Sequence, residues 1–232
     1  MSALPTLPGF SNPVRDAQSV FRAALTAFSR PGIPVPLPVC PPPLPISGFS
    51  QGMLALALAL ADGNTPLWLD SAADTSELRH HLRFNCAVSF AASPADASFA
   101  FISQVESMPR LHGFNPGQPK SPDRSATLVI STSISVASTV TMELTGPGVK
   151  GNERGVWQPF RISGLPQWFW EDWEENFAAY PLGVDVLFVD TWTESSSNSV
   201  VRLLGLPRIA QVRSPLHVQT DSLPPKEYSA CM

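Results

Sequence analysis

The chain has few of the residues on which several common protein classes depend. Only 15% of its 232 residues are charged, against about 25% in a typical soluble domain. Three lysines (Lys120, Lys150 and Lys226) stand among its 15 basic residues, and the net charge is −4. Non-specific nucleic-acid binding needs clustered Lys and Arg facing phosphate, so this balance argues against it. A surface with so little charge is typical of a protein covered in a complex.

Cysteine and long apolar runs are scarce too. Cys40, Cys86 and Cys231 are far apart and form no CxxC pair, which argues against a disulfide framework and a zinc site and favours a reducing cytoplasm. The longest uncharged apolar run, Met53 to Ala61, is far shorter than the ~20 residues of a membrane span. No basic region followed by an apolar core opens the chain. We therefore expect a cytoplasmic protein without a membrane span.

The familiar catalytic motifs are also missing. The chain contains no GxxxxGK[ST] loop, no HExxH pair and no GxSxG elbow. Gly146–Gly151 matches the GxGxxG pattern of dinucleotide-binding proteins, with Glu171 further on. That pattern works only when a helix follows it, whereas Pro147 stiffens this loop and no long helix is indicated before Pro159. We interpret it as a glycine turn.

Clusters of titratable residues provide little further evidence for a catalytic or metal-binding site. His80 and His81 are adjacent on a predicted helix, so they point about 100° apart and are poorly placed to share a metal ion. Cys86 has no histidine partner at motif level. Four carboxylates lie close together on a predicted helix, and we expect them to coat a solvated face. They are Glu171, Asp172, Glu174 and Glu175.

Proline, by contrast, is abundant, with 25 in all. It is concentrated between residues 31 and 45, which excludes a helix or a central strand there, because proline lacks an N–H donor. We expect an extended surface connector, and a docking site for SH3-type partners is the alternative.

The best-defined element is a helix that begins at Pro13. Asn12 can cap it, Pro13 suits the first helical position, and Pro31 with Gly32 ends it. An apolar stripe with helical spacing is predicted to face the core. It consists of Ala17, Phe21, Ala24, Leu25 and Phe28.

The remaining pattern predicts a layered α/β domain with flanking helices around a mixed sheet. Further helices are predicted at 50–62, at 74–83 with Asp74 and Glu77 as a capping box, and at 166–180. Strands are predicted at 67–69, 86–90, 98–103, 126–132, 139–144, 184–189, 200–204 and 209–213. We expect a single domain at 1–213, including the proline-rich connector 31–45, and a flexible tail at 214–232.

Asp185 is the most informative charged residue, because it lies one residue into a strongly apolar strand. A carboxylate there is costly unless it is paired or hydrogen-bonded. Arg208, in the turn at 205–208, is a suitable partner for a carboxylate or a phosphate. Whether the two residues meet is left open by the sequence.

Seven short segments, taken together and in their order along the chain, are characteristic of one family. The first is the opening helix with Asp16, Gln18 and Arg22, followed by Arg30-Pro-Gly32. The others, in order, are Asp62-Gly-Asn-Thr-Pro-Leu-Trp-Leu69, Leu82-Arg-Phe84, Ala126-Thr-Leu-Val-Ile130, Leu144-Thr-Gly-Pro-Gly-Val149, Tyr180-Pro-Leu-Gly-Val-Asp185 and Leu206-Pro-Arg208. Together these segments resemble the H subunit (PhnH) of the bacterial phosphonate carbon–phosphorus lyase system, and the resemblance covers about residues 10–213.

The resemblance implies a fold like the large domain of pyridoxal-phosphate transferases, without the cofactor. It also implies a homodimer that joins G, I and J subunits in a core complex. That complex supports transfer of a phosphonate to ribose C1 of MgATP with loss of adenine. The lysines agree with the absence of pyridoxal phosphate, because its Schiff base needs a lysine and these three lie in loops or the tail. No metal is expected in this subunit.

One position departs from the family. Where its pattern reads Phe-His-Thr, this chain has Phe84-Asn85-Cys86, and asparagine cannot titrate near neutral pH. The candidate ligand or interface residues are Asp16, Arg22, Asn85, Asp185 and Arg208. The resemblance assigns no catalytic residue, so whether this chain is itself an enzyme stays open. The alternatives are a stand-alone homodimeric enzyme or a binding protein for a small phosphorylated or phosphonylated ligand.

Overall fold

The computed structural model describes residues 8–44, 48–134, 141–195 and 198–214. Its helices are α1 (Pro13–Ser29), α2 (Gln51–Leu60), α3 (Ser76–Cys86) and α4 (Gln167–Ala178). Its strands are β1 (Val35–Pro36), β2 (Leu67–Leu69), β3 (Phe99–Ile102), β4 (Thr127–Ser131), β5 (Thr141–Thr145), β6 (Gln158–Arg161), β7 (Asp185–Ser195), β8 (Asn198–Leu206) and β9 (Gln211–Arg213). None of the helices in these ranges is long and apolar enough to cross a membrane.

Two sheets organise the described part of the chain. The larger has six strands in the order β1-β8-β7-β4-β3-β2, and the smaller has three in the order β6-β5-β9. Strands β2, β3, β4 and β7 run parallel, whereas β8 is antiparallel to β7 and β1 is antiparallel to β8. The expected layered mixed sheet with flanking helices is therefore confirmed.

The large sheet separates two apolar cores. Along β7, Leu187 and Val189 face the core formed with α1, α2 and α3. Val186 and Phe188 face the other core, which contains α4 and the small sheet. This alternation follows from the two-residue period of a strand, and both faces are apolar because both are covered.

Helix α1 confirms its predicted ends and part of its predicted buried stripe, since Ala24 is buried and Ala17 and Phe28 are partly buried against the core. The Asn12 side chain accepts a hydrogen bond from the Arg15 amide at 3.2 Å, and α1 ends at Ser29, just before Pro31. Phe21 and Leu25 were expected in the core, yet they are 46% and 51% exposed. Small side chains occupy the buried face instead, because α1 packs closely on the sheet. They are Ala23, Ala24 and Ala27, with Val20.

The reason for this close packing is visible at β8. A Cβ atom built on Gly205 would lie 2.5 Å from the carbonyl carbon and oxygen of Ala27. Only a glycine permits the α1 backbone to approach the strand this closely. Larger residues of α1 are therefore displaced to its flanks.

Helix α3 differs from the sequence prediction at both ends. Its N-cap is Thr75, whose side chain accepts from the Leu78 amide at 3.2 Å. Asp74 instead forms an ion pair with Arg79, which lowers the pKa of Asp74 below its ordinary value. The predicted strand at 86–90 is wrong, since α3 continues to Cys86 and only Phe90 pairs, as an isolated bridge to Leu67.

The proline-rich segment forms no helix or central strand where it is described. Val35–Pro36 is a two-residue strand at the edge of the large sheet, where a missing N–H donor is tolerated. Residues 45–47, at its end, lie outside the described ranges.

The glycine turn is also confirmed as a turn. It follows β5, an antiparallel strand of the small sheet, and leads into a single 3-10 turn, Asn152–Arg154. No long helix follows, so the arrangement required for dinucleotide binding is not present in this described segment.

The other predictions hold within a few residues. Helices α2 and α4 and strands β2, β3, β4, β7, β8 and β9 fall inside or overlap their predicted ranges, and β5 overlaps the strand predicted at 139–144. Strand β6 was not predicted. The predicted tail lies outside the described residues from 215 onward.

Candidate functional site

The sequence-predicted site residues lie in three separate places. Asp16 and Arg22 are on α1. The Asp16 carboxylate accepts from the Asn12 amide at 2.9 Å, so it completes the helix cap. Arg22 is exposed, and its Nε donates to the Gln18 carbonyl oxygen at 3.3 Å along the same helix. Asp16 therefore has a local structural role, whereas the charge of Arg22 is directed to solvent.

Asn85 lies at the end of α3, beside a buried histidine. Its Nδ2 donates to the His81 carbonyl oxygen at 3.0 Å. A Cβ atom on Gly9 would lie 2.6 Å from the Asn85 Oδ1, so the segment before α1 packs against it. Burial, followed by the nearby charge of His80, lowers the pKa of His81. Burial also raises the pKa of the Cys86 thiol to about 11. Burial thus shifts both His81 and Cys86, beside Asn85, toward their neutral forms.

Asp185 and Arg208 do meet, at the amino end of β7. The Arg208 backbone N–H donates to Asp185 Oδ1 at 2.8 Å, and its side-chain Nη2 donates to Oδ2 at 2.5 Å. Nε donates to both carboxylate oxygens at 3.2 Å. Their relative side-chain exposures are 13% for Arg208 and 23% for Asp185. The structure therefore contains the ion pair that the sequence left open.

Arg208 also binds the elements around that pair. Nη1 donates to the carbonyl oxygens of Pro122 at 3.0 Å and Pro181 at 3.4 Å, and Nη2 donates to the Ser125 hydroxyl. A guanidinium has five N–H donors. The contacts to Pro122, Pro181 and Ser125, together with those to Asp185, use all five. Arg208 therefore joins the segment before β4, the segment before β7 and the turn after β8. It has no donor left for a ligand.

Two hollows open beside this ion pair and share Asp123. One, of about 300 Å³, is lined by Asp185, Arg208 and Tyr180 among others. The other, of about 630 Å³, has hydroxyl, amide and charged groups on its walls. Its polar lining residues are Asn64, Thr65, Ser98, Asn115, Asp123, Arg124, Ser125 and Thr127. These groups can hydrogen-bond a polar molecule, and they include no histidine or cysteine that could act as a nucleophile–base pair.

Open α/β sheets usually bind ligands at the carboxyl ends of their strands. In this sheet, Asp70 occupies the carboxyl ends of β2 and β3. This side chain is 1% exposed. It accepts from the amides of Ser103, Gln104 and Ala73 at 2.8, 2.9 and 3.0 Å and from the Ser103 hydroxyl at 2.9 Å. These contacts satisfy its lone pairs, so Asp70 joins two strand ends and does not face a ligand.

A third hollow, of about 340 Å³, lies between the edge of the large sheet and the small sheet. Its floor includes Phe160 and Leu204, and its charged residues are Arg161 and Arg202. The Arg202 Nη2 donates to Asp190 at 2.8 Å and to the Ile134 carbonyl oxygen at 2.6 Å. Arginine suits carboxylate and phosphate groups. Arg202 was not among the predicted site residues, although an arginine inside the apolar run of β8 is as informative a signal as Asp185.

One member of the acidic group was also placed wrongly. Glu171, Glu174 and Glu175 are exposed as expected, but Asp172 is 3% exposed. Its carboxylate accepts from Arg110 Nε at 2.9 Å and from the Leu111 amide at 2.8 Å. Burial favours the neutral acid, yet these hydrogen bonds together lower the pKa of Asp172. The pair joins α4 to the turn at Leu111–Gly113, which sequence spacing could not indicate.

Within the described ranges, no group of three or more His, Cys, Asp and Glu side chains could hold a metal ion. The residues that sequence reasoning singled out do not form one site. Only Asp185 and Arg208 come together, and their geometry is that of a structural ion pair beside two hollows.

Comparison with known proteins identifies the family. The family described as "Bacterial phosphonate metabolism protein (PhnH)" matches residues 8–213. The chain is 34% identical over 179 residues to a Rhizobium meliloti (strain 1021) protein named alpha-D-ribose 1-methylphosphonate 5-triphosphate synthase subunit PhnH, covering 77% of this chain and 85% of that relative. It is 30% identical over 175 residues to a Stutzerimonas stutzeri protein named putative C-P lyase subunit protein HtxG, covering 74% of this chain and 77% of that relative. The chain therefore belongs to the PhnH family of bacterial phosphonate metabolism proteins.

Proposed function

We propose that this chain is a subunit of a carbon–phosphorus lyase core complex in organic phosphonate catabolism. In that complex it supports transfer of a phosphonate to ribose C1 of MgATP, with loss of adenine. The observation that carries the proposal is the family match over residues 8–213. Two relatives whose names describe subunits of phosphonate-processing systems support it, and each aligns with about three quarters of this chain.

The proposed role is structural or assisting, with no autonomous active site. In support, the guanidinium of Arg208 is fully used by Asp185 and its other protein partners. Asp16 is used in a helix cap. The low charge of the chain, 15% of residues, also suits a protein that is covered by partners.

The finer features of the family belong to the same proposal. They are a cytoplasmic homodimer, association with the G, I and J subunits, and a fold like the large domain of pyridoxal-phosphate transferases. We propose that the chain holds no pyridoxal phosphate and that MgATP is a substrate of the whole complex. Lys120 and Lys150 are both exposed, which supports this, because a Schiff-base lysine is normally enclosed with its cofactor.

Reconstitution tests the proposal. The G, I and J subunits are purified with and without this chain and incubated with MgATP and methylphosphonate, and adenine release is followed by chromatography. We expect release only when this chain is present and co-purifies with the others. Equal release without it, or no co-purification at micromolar concentration, would contradict the proposal.

A second candidate is a binding protein or stand-alone enzyme for a small phosphorylated or phosphonylated ligand. The observation in its favour is the 340 Å³ hollow, whose apolar floor lies beside Arg161 and Arg202. Calorimetric titration of the isolated chain with methylphosphonate and with ATP separates the two functions. Binding by the isolated chain that is weakened by Arg161→Ala favours this candidate, and turnover by the isolated chain favours a stand-alone enzyme.

A further inference from the structure

Exposed apolar side chains are concentrated on one helix. Of the seven large apolar residues that are exposed in the described ranges, three lie on α1: Val14 at 71%, Phe21 at 46% and Leu25 at 51%. They follow one another at intervals of seven and four residues, so at 100° per residue they point within about 40° of one direction. With a rise of 1.5 Å per residue, this apolar row is about 16 Å long.

A basic row lies directly beside the apolar row. Arg15 and Arg22 each follow an apolar member by one residue, and both are exposed. They therefore point about 100° to one side of Val14 and Phe21. Within the described ranges, neither arginine forms an ion pair with a carboxylate. We call these five residues the outer face of α1.

The opposite side of α1 already has its partners. Val20, Ala24 and Ala27 are buried against α2 and β8. The outer face is therefore not an incompletely buried core surface. Its apolar residues are 46% to 71% exposed within the described ranges, and exposed apolar patches of this kind mark interaction sites.

We propose that the outer face of α1 docks a different protein chain, whose contact surface carries an apolar row next to carboxylates. This inference rests on the proposed function, since it assigns the surface through which the subunit joins its complex. The charges of Arg15 and Arg22, which form no ion pair within the described ranges, select the partner, because an acidic row beside the apolar contact complements them and speeds association.

The same charges argue against a second copy of this chain on the outer face. In an antiparallel twofold contact, apolar rows meet apolar rows, but the basic rows then also meet each other. In a parallel twofold contact centred on the apolar rows, the basic rows lie on opposite sides, and neither faces a carboxylate because the outer face contains none. A contact between α1 and the exposed acidic residues of α4 in another copy would be heterologous, and it would continue into an open chain unless its rotation closed. A homodimer would therefore use another surface.

Two substitutions on the outer face test the proposal in the full-length chain. They are Leu25→Glu in the apolar row and Arg22→Glu in the basic row. Their matched controls are Val156→Glu, at an apolar residue that is 43% exposed elsewhere, and Arg124→Glu, at another exposed arginine. Each tagged variant is co-expressed with the G, I and J subunits, and the retained subunits are quantified. Circular dichroism and thermal unfolding of each isolated variant check its fold.

We expect both outer-face variants to fold like the wild type and to retain the other subunits at least tenfold less well, as at an interface hot spot. Both controls should retain them fully. Unchanged retention by Leu25→Glu and Arg22→Glu, with retention by the wild type, would overturn this surface and leave the proposed function intact. Failure of the wild type to retain any subunit would overturn both. Dissociation of a wild-type dimer by Leu25→Glu, with subunits still retained, would assign the face to a second copy and contradict the proposal. Arg22→Glu gives an independent answer should Leu25→Glu fail to fold.

Discussion

Replacing Arg208 by alanine should destabilise the fold, because its guanidinium binds protein groups with every donor it has. The substitution removes the side-chain contacts to Asp185, Ser125 and the carbonyl oxygens of Pro122 and Pro181. Breaking a buried ion pair from one side costs about 3–5 kcal/mol. Here Asp185 keeps the Arg208 backbone amide and is 23% exposed, so part of that cost is recovered through water. We expect a loss of about 2–3 kcal/mol in the free energy of unfolding.

Urea denaturation followed by circular dichroism measures this loss. For a chain of this size, the melting temperature should fall by about 5–10 °C. Arg124→Ala, at an exposed arginine near the same edge, is the control and should change stability by less than about 0.5 kcal/mol. Arg208→Lys should recover only part of the loss, since an ammonium group cannot reproduce the planar fork.

A double-mutant cycle with Asp185→Asn isolates the ion pair. We expect a coupling free energy above about 1 kcal/mol, because the two side chains are in direct contact. An Arg208→Ala protein with the wild-type melting temperature, or a coupling near zero, would refute the structural role. The result also decides how activity data are interpreted, because lost activity in Arg208→Ala would then reflect lost folding.

Three further predictions follow from buried groups and close packing. Burial lowers the pKa of His81 in the folded chain, so below about pH 6.5 the unfolded chain binds a proton that the folded chain does not. The free energy of unfolding should fall on acidification from pH 7 to 5, by up to about 1.4 kcal/mol per pH unit. His81→Gln should reduce that slope, and equal slopes in the two proteins would show that His81 is not responsible for it. The pKa of the Cys86 thiol is raised to about 11. Once the other cysteines are replaced by serine, Cys86 should react with a disulfide reagent at pH 8 roughly two orders of magnitude more slowly in the native chain than in urea. Equal rates would show that the thiol is not protected. Gly205→Ala would force its Cβ against the Ala27 backbone and should lower the free energy of unfolding by about 1–3 kcal/mol, measured by urea denaturation. The control Gly63→Ala, whose Cβ would have its nearest neighbour at 3.4 Å, should leave stability nearly unchanged. Similar losses of stability in both variants would exclude close packing as the cause.

Short sequence signals predicted the end of a helix correctly where a single residue type determines that end. Asn12 and Pro13 placed the start of α1 correctly because a cap depends only on the first turn. The pattern failed at α3, where it placed a strand at residues 86–90 although the helix continues to Cys86. Its apolar and β-branched residues satisfy either period over so short a range.

The candidate site was predictable only in part. Asp185 was recognised because a carboxylate in an apolar strand needs a partner, and Arg208 was named because an arginine in a nearby turn suits a carboxylate. Asp70 and Asp172 were not recognised, since their partners come from Ser103 and Arg110, distant in sequence. The spacing of residues within one helix or strand does not indicate which distant residues become partners.

The sequence by itself determined the Asn12 cap of α1, the apolar strand that contains Asp185 and the resemblance to the PhnH family, because each depends on residues near one another or on their order. Only the tertiary structure decided that Asp185 meets Arg208, 23 residues away, and that Phe21 and Leu25 stay exposed. Both outcomes depend on strand order and on how closely α1 approaches Gly205. Strand pairing brings distant residues together, and close backbone packing chooses which side of an amphipathic helix is buried.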